Sequence, residues 1–221
     1  MRLLSLVFVC FSLFACNSGS QKKNATAPPN DFKITDTLKG HTVSGNPDSM
    51  PPVPAAELIV PGKSIGLTSI GERADSVNAK LGRPDDGDAA MGKAISTWYS
   101  KGNKLHSTTI FFSVNFGDKD EASRAKQIRI TSPYFKTQEG LCVGSHMEEI
   151  SKVYPVLKKT GRYPSPTNAT QMVVVMDEPD KGIAFEISPA YKCVGIVIHR
   201  PEDKPFETYL GFIKGYTPSA P

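Results

Sequence analysis

Two stretches of the chain repeat one pattern of apolar and polar positions. In Ser64–Pro84, SIGLTSIGERADSVNAKLGRP, apolar Ala74, Val77 and Leu81 recur at i, i+3 and i+7 behind Ile70-Gly71, the spacing of one helix face. In Thr137–Pro155, TQEGLCVGSHMEEISKVYP, Met147, Ile150 and Tyr154 do the same behind Val143-Gly144. Gly71 and Gly144 are 73 residues apart, and the same offset carries Ile110 and Phe112 onto Ile183 and Phe185. Self-similarity at a fixed offset is the mark of internal duplication. Gly82 and Pro84 stop the first helix, because glycine takes the left-handed cap and proline forbids continuation. Ser145 and Glu148 form S-x-x-E, a capping box that predicts where the second helix starts.

Each helix is followed by runs that alternate with period two, the pattern of half-buried strands. They fall at Ile95–Tyr99, Thr108–Phe116 and Gln127–Thr131, and again at Gln171–Met176, Gly182–Ser188 and Lys192–Arg200. Glycine, asparagine and aspartate mark the turns between them. The expected fold class is therefore α+β: a tandem repeat of helix-plus-antiparallel-meander units, with helices packed on one face of antiparallel sheet. The units span residues 55–136 and 137–203. In the tail, 204–221, Phe206, Tyr209, Leu210 and Ile213 stand at helical spacing and predict a short closing element, with the final TPSAP frayed.

The N-terminus changes the picture. Arg2 precedes an apolar run, LLSLVFVCFSLFA, too short for a spanning helix and read as a signal-peptide core over residues 1–15. The run ends in Leu13-Phe14-Ala15-Cys16, which resembles the lipobox of bacterial lipoproteins. That resemblance implies acylation of Cys16 and a partner in the membrane itself, reached through the lipidated N-terminus. Residues 16–54 are rich in Ser, Asn, Pro, Gly and Thr with no apolar face, the composition of a disordered tether. Ser20-Gln21-Lys22-Lys23 lacks the acidic signal of surface-exported lipoproteins, so the expected address is the bacterial envelope, on the periplasm-facing outer membrane. The formal charge of +4 falls by one when Arg2 is removed, too mild a balance to argue for nucleic acid.

The lipobox and tether, the x-Ile/Val-Gly lead into each helix, and the Leu-Gly-x-Pro exit of the first together resemble a known superfamily. It includes the SmpA/OmlA-like lipoproteins of outer-membrane assembly and the β-lactamase-inhibitor-protein fold. The resemblance covers about Leu58–Arg200 and implies a binder or scaffold with no catalytic residues. At the second helix Tyr154-Pro155 stands in place of Leu81-Gly82.

Candidate chemistry is sparse. Gly87–Ala94, GDAAMGKA, is one residue short of a P-loop, but Ala94 has no hydroxyl for magnesium and the flanking order is wrong. Asp85, Asp86 and Asp88 read as a solvated turn. Glu148, Glu149 and Glu186 read as solvated helix and strand faces. Cys142 and Cys193 admit three readings: a disulfide, which the oxidising envelope favours, two separate thiols, or a Cys₂His₂ metal site with His146 and His199. Alternation places both cysteines beside the core row rather than in it. The resulting expectation is a non-enzymatic, lipid-anchored envelope protein without cofactor or metal, a protein-binding or scaffold module for another envelope protein. Trp98 and Phe111 are its expected exposed aromatic patch. The alternative is a small-ligand-binding or hydrolytic envelope protein using the Cys142/His146/Cys193/His199 region.

Overall fold

The computed structural model describes residues 52–117, 119–201, 203–208 and 210–220. The expected signal peptide, Cys16 and the tether up to residue 51 lie outside them. A strap opens the described chain, with three two-residue strands, β1 (Ile59–Val60), β2 (Ser64–Ile65) and β3 (Thr68–Ser69), paired in order. Helix α1 (Ala74–Leu81) leads into a meander of β4 (Asp86–Ala90), β5 (Lys93–Ser100), β6 (Asn103–Val114) and β7 (Ser123–Ile130). Helix α2 (Met147–Val153) leads into a second, β8 (Lys158–Ser165), β9 (Asn168–Glu178), β10 (Ile183–Ile187) and β11 (Cys193–His199). Antiparallel pairing of β11 with β7 joins the meanders, and β12 (Thr217–Pro218) adds to β8. The result is one nine-stranded antiparallel sheet, ordered β12-β8-β9-β10-β11-β7-β6-β5-β4.

This is a mainly antiparallel β architecture, and it corrects the expected α+β repeat of helices packed on sheet. The described residues hold two helices, of eight and seven residues, too short to make a layer. Each sends one fully buried side chain inward, Val77 or Ile150. Spacing at i, i+3 and i+7 finds a helix and its buried side; it does not say how much of a sheet that helix covers. Two strands also escaped the alternation test. The polar β4, DGDAA, looks like a turn, and β8, KKTGRYPS, has no apolar run.

The first face of the sheet carries the main core. Trp98, Ile110, Ile128, Ile130, Ile183, Phe185, Ile196 and Ile198 pack there against the two helices and against Ile59 and Ile65 of the strap. The α2 start falls one residue later than S-x-x-E predicts: the Glu149 carboxylate accepts from the His146 N–H at 2.8 Å. The tail is irregular rather than helical. Its Phe206 is buried at φ 62°, a left-handed conformation that a bulky residue rarely takes. Residues 217–219 do not fray as expected, since Thr217 and Pro218 pair with Arg162 and Gly161 and the Ser219 N–H donates to the Thr160 carbonyl at 2.8 Å.

Candidate binding cleft on the second sheet face

Residues that alternate with the main core form the sheet's second face: Phe111 and Thr109 of β6, Gln127 and Arg129 of β7, Gly195 and Val197 of β11, Ala184 and Glu186 of β10, Val173, Val175 and Asp177 of β9, and Tyr163 of β8. Cross-strand partners share a face, so register alone assembles this surface. Its smaller apolar cluster, Tyr163, Val173, Val175, Ala184, Val197 and Phe206, is packed by Phe212, Ile213 and Tyr216 of the tail. Phe111 also lies under the tail, edge-on to Phe212.

Polar groups are buried among these apolar ones. The Arg129 guanidinium grips the Glu186 carboxylate through Nε at 2.6 Å and Nη2 at 2.8 Å, a bidentate fork. The Tyr163 hydroxyl donates to the same carboxylate. The Glu186 side chain is 0% exposed and fits because the residue opposite is glycine. A methyl added at Gly195 would lie 2.6 Å from the carboxylate. Burial alone would lower the Arg129 pKa, but the Glu186 charge outweighs it and holds the guanidinium ionised. Burial first, then Glu186, raises the Tyr163 pKa well above its usual range, so the hydroxyl stays a donor.

A second buried pair lies nearer the tail. His199 is fully buried, with Nδ1 donating to the Arg200 carbonyl at 2.7 Å and Nε2 3.0 Å from Asp177 Oδ1. A carbonyl oxygen only accepts, so Nδ1 carries a proton, whatever the state of Nε2 facing Asp177. Gln127 fastens the tail, its Nε2 donating to the Lys204 carbonyl and its Oε1 accepting from the Phe206 N–H.

Beyond the reach of the tail the second face opens into a cleft of about 960 Å³, the size range of small-molecule sites. Leu105, Val143, Val173, Pro189 and Val194 are among its apolar lining residues. Arg129 and Tyr163 lie in its wall, His106 and Lys192 also line it, and among the described residues no aspartate or glutamate does. Leu105 is 81% exposed.

The residues nominated from sequence are scattered relative to this cleft. Trp98 belongs to the first-face core, its indole N–H donating to the Gly82 carbonyl at 3.0 Å, and Phe111 is buried under the tail on the other face. Neither offers an exposed aromatic. Cys142 and Cys193 are free thiols: the Ser145 hydroxyl faces Cys142 Sγ, and Cys193 Sγ donates to the Gly195 carbonyl at 3.3 Å. Cys193 is buried in the main core rather than beside it. Register slips between Glu186, which faces Gly195, and Ile187, which faces Cys193. The extra residue, Val194, reverses the alternation there.

The Cys142/His146/Cys193/His199 constellation does not form. Cys193 and His199 stand at opposite ends of the seven-residue β11, about 20 Å apart at strand rise, and His146 lies exposed at the start of α2. Among the described residues no cluster of His, Cys, Asp and Glu could hold a metal ion. Arg129 and Glu186 were missed as site residues because Glu186 reads as a solvated strand residue. The signal was an acid inside IAFEI, facing a glycine in a strand that sequence alone could not register against it.

No protein-family model and no curated protein matches the chain. Among solved structures it is similar to a DUF4309 family protein (YjgB) from Bacillus subtilis, at 13% identity over 63% of this chain and 88% of that one, with a TM-score of 0.39. A likeness so distant carries neither fold nor function.

Proposed function

We propose that this chain is a non-enzymatic binding protein of the bacterial envelope, anchored through acylated Cys16, and that it holds its partner in the second-face cleft. The anchor rests on the Leu-Phe-Ala-Cys sequence. The binding role rests on one observation. The cleft is large and apolar, and the Arg129 guanidinium in its wall is bound to the buried Glu186 carboxyl instead of poised for reaction. The His199–Asp177 pair has the residue types of a catalytic dyad, but its side chains are 0% and 2% exposed, so no substrate reaches them. Burial of Trp98 and Phe111 moves the expected binding surface from an aromatic patch to this cleft.

A photo-crosslinking amino acid at Leu105, compared in living cells with one at Leu67, tests the site. Both positions are exposed, and Leu67 lies in the strap, away from the cleft. The expected result is a discrete adduct from position 105 and none from position 67. Identical patterns at both positions overturn the cleft as the binding site. Cys16→Ser is expected to release the processed chain from the membrane fraction.

A further inference from the structure

We infer that the cleft takes a small amphiphile, an apolar chain ending in a carboxylate, and that Arg129 is the residue that reads the carboxylate. The inference rests on the cleft being the binding site and goes on to name what fills it. Arg129 presents five N–H donors. Glu186 uses the edge formed by Nε and Nη2. Nη1 makes no bond to Glu186, and it is not among the side-chain atoms sealed from solvent without a partner. A guanidinium whose side chain is 16% exposed, and which lines the cleft, thus has three donors outside that fork, with the Nη1–Nη2 edge the one that could meet a carboxylate.

The charge around those donors selects the ligand. Glu186 already balances Arg129, yet Lys192 and His106 share the lining and, among the described residues, no carboxylate does. An entering anion meets the Lys192 ammonium and the Arg129 donors, with the Glu186 charge already paired to the guanidinium. Tyr163 is committed to Glu186, which holds the carboxylate in place behind the guanidinium and leaves Nη1 aimed away from it. Val143, Val173, Val194, Pro133, Pro189 and Leu105 present hydrocarbon in the rest of the wall, among uncharged polar side chains such as Thr131 and Gln171. Apolar walls with a few placed polar groups bind by burying the body of a ligand and orienting its head. A planar carboxylate matches the guanidinium edge geometrically, whereas an ammonium head is repelled and a hydroxyl head forms a neutral bond of about half the strength.

The test titrates decanoate, decanol and decylammonium into the full chain held in nanodiscs, with empty nanodiscs as the blank. Decanoate is expected to saturate one site, with decanol ~tenfold or more weaker and decylammonium without a saturable site. Leu105→Glu, at an exposed position, is expected to weaken decanoate at least ~tenfold by placing a like charge at the mouth. Arg129→Met alone leaves Glu186 unpaired, so the informative variant is Arg129→Met with Glu186→Gln, which is expected to bind decanoate and decanol equally. Equal binding of decanoate and decanol to the unsubstituted chain overturns the carboxylate assignment, as does decanoate binding that Leu105→Glu leaves unchanged. No saturable decanoate binding overturns it as well. In that case a discrete position-105 crosslink keeps the cleft as a binding site, and the absence of one removes both.

Discussion

The two faces of the sheet are drawn from the same strands, residue by alternate residue, yet they are closed differently. The first face is a continuous apolar surface under two short helices and a strap. The second mixes a smaller apolar cluster with two buried polar pairs, and an irregular tail covers only part of it. Apolar packing is non-directional and tolerates many arrangements. Buried charge is not tolerant: it needs a specific partner at a specific register. The first face therefore supplies stability through bulk packing, and the second is where geometry is held by specific partners.

The largest expected effect tests the first half of that contrast. Phe185 is fully buried against Tyr154 on the first face, and Phe185→Ala should cost about 3–5 kcal/mol in urea unfolding. Phe212 of the tail is only partly buried, so Phe212→Ala should cost clearly less, about 1–2 kcal/mol. Equal losses would mean that the tail is as integral to the fold as the helix-covered face.

Polar burial on the second face should show in a double-mutant cycle. Arg129→Met alone leaves the buried Glu186 carboxylate uncompensated and should cost about 3–5 kcal/mol. Arg129→Met with Glu186→Leu removes both charges and should restore most of that loss, because well-packed apolar replacements of a buried pair are often neutral. Gly195→Ala should be harmful with Glu186 present and milder with Glu186→Ala, since the carboxylate occupies the place of the new methyl. Purely additive effects would show that Arg129, Glu186 and Gly195 are not one unit.

A smaller effect is expected where the tail is tied down. Gln127→Ala removes both bonds to the tail backbone, to Lys204 and Phe206, and should cost about 1–3 kcal/mol by leaving the Phe206 N–H unpaired. Hydrogen exchange should then accelerate at Phe206 and Tyr216 and leave Ile128 and Ile196 protected. Faster exchange in the first-face core would mean that the faces do not open separately.

The contrast also explains what the sequence could reveal. Val77 and Ile150 were legible because helix periodicity is local, and Ile110, Phe112, Ile183 and Phe185 because strand alternation is local. The pairing of β7 with β11 was not legible, and it decides everything on the second face: it brings Arg129 opposite Val197, two residues from the Gly195 that admits Glu186. The same ignorance of register put Cys193 on the wrong side of β11, because a bulge at Val194 has no signature in KCVGIVIH. Trp98 was assigned to the outer face because one strand's alternation is symmetric until something is known to cover each side. Edge strand β4 was read as a turn because charge and glycine serve both roles, and a charged edge also discourages unwanted pairing.

Two buried tyrosines, one on each face, should make stability fall in alkali. Tyr154 on the first face and Tyr163 on the second both have raised pKa values, in each case through burial first. For Tyr154 the acids that add to this are Glu139 and Glu178, and for Tyr163 the acid is Glu186. A tyrosine whose folded pKa exceeds its unfolded value of about 10 binds its proton more tightly when folded. Its contribution is fully present below pH 10 and is lost as the pH climbs toward the folded value. Urea stability should therefore be level from neutrality to about pH 9 and fall above pH 10. Tyr163→Phe should lower stability at pH 7, because the hydroxyl bond to Glu186 is lost, and should flatten the alkaline decline. Tyr154 has no side-chain hydrogen bond among the described residues, only its ring against Phe185 and Lys181. Tyr154→Phe should therefore flatten the decline with little cost at pH 7. If the two variants behave alike at pH 7, Tyr163 is a packing residue and the Glu186 carboxylate does not depend on it.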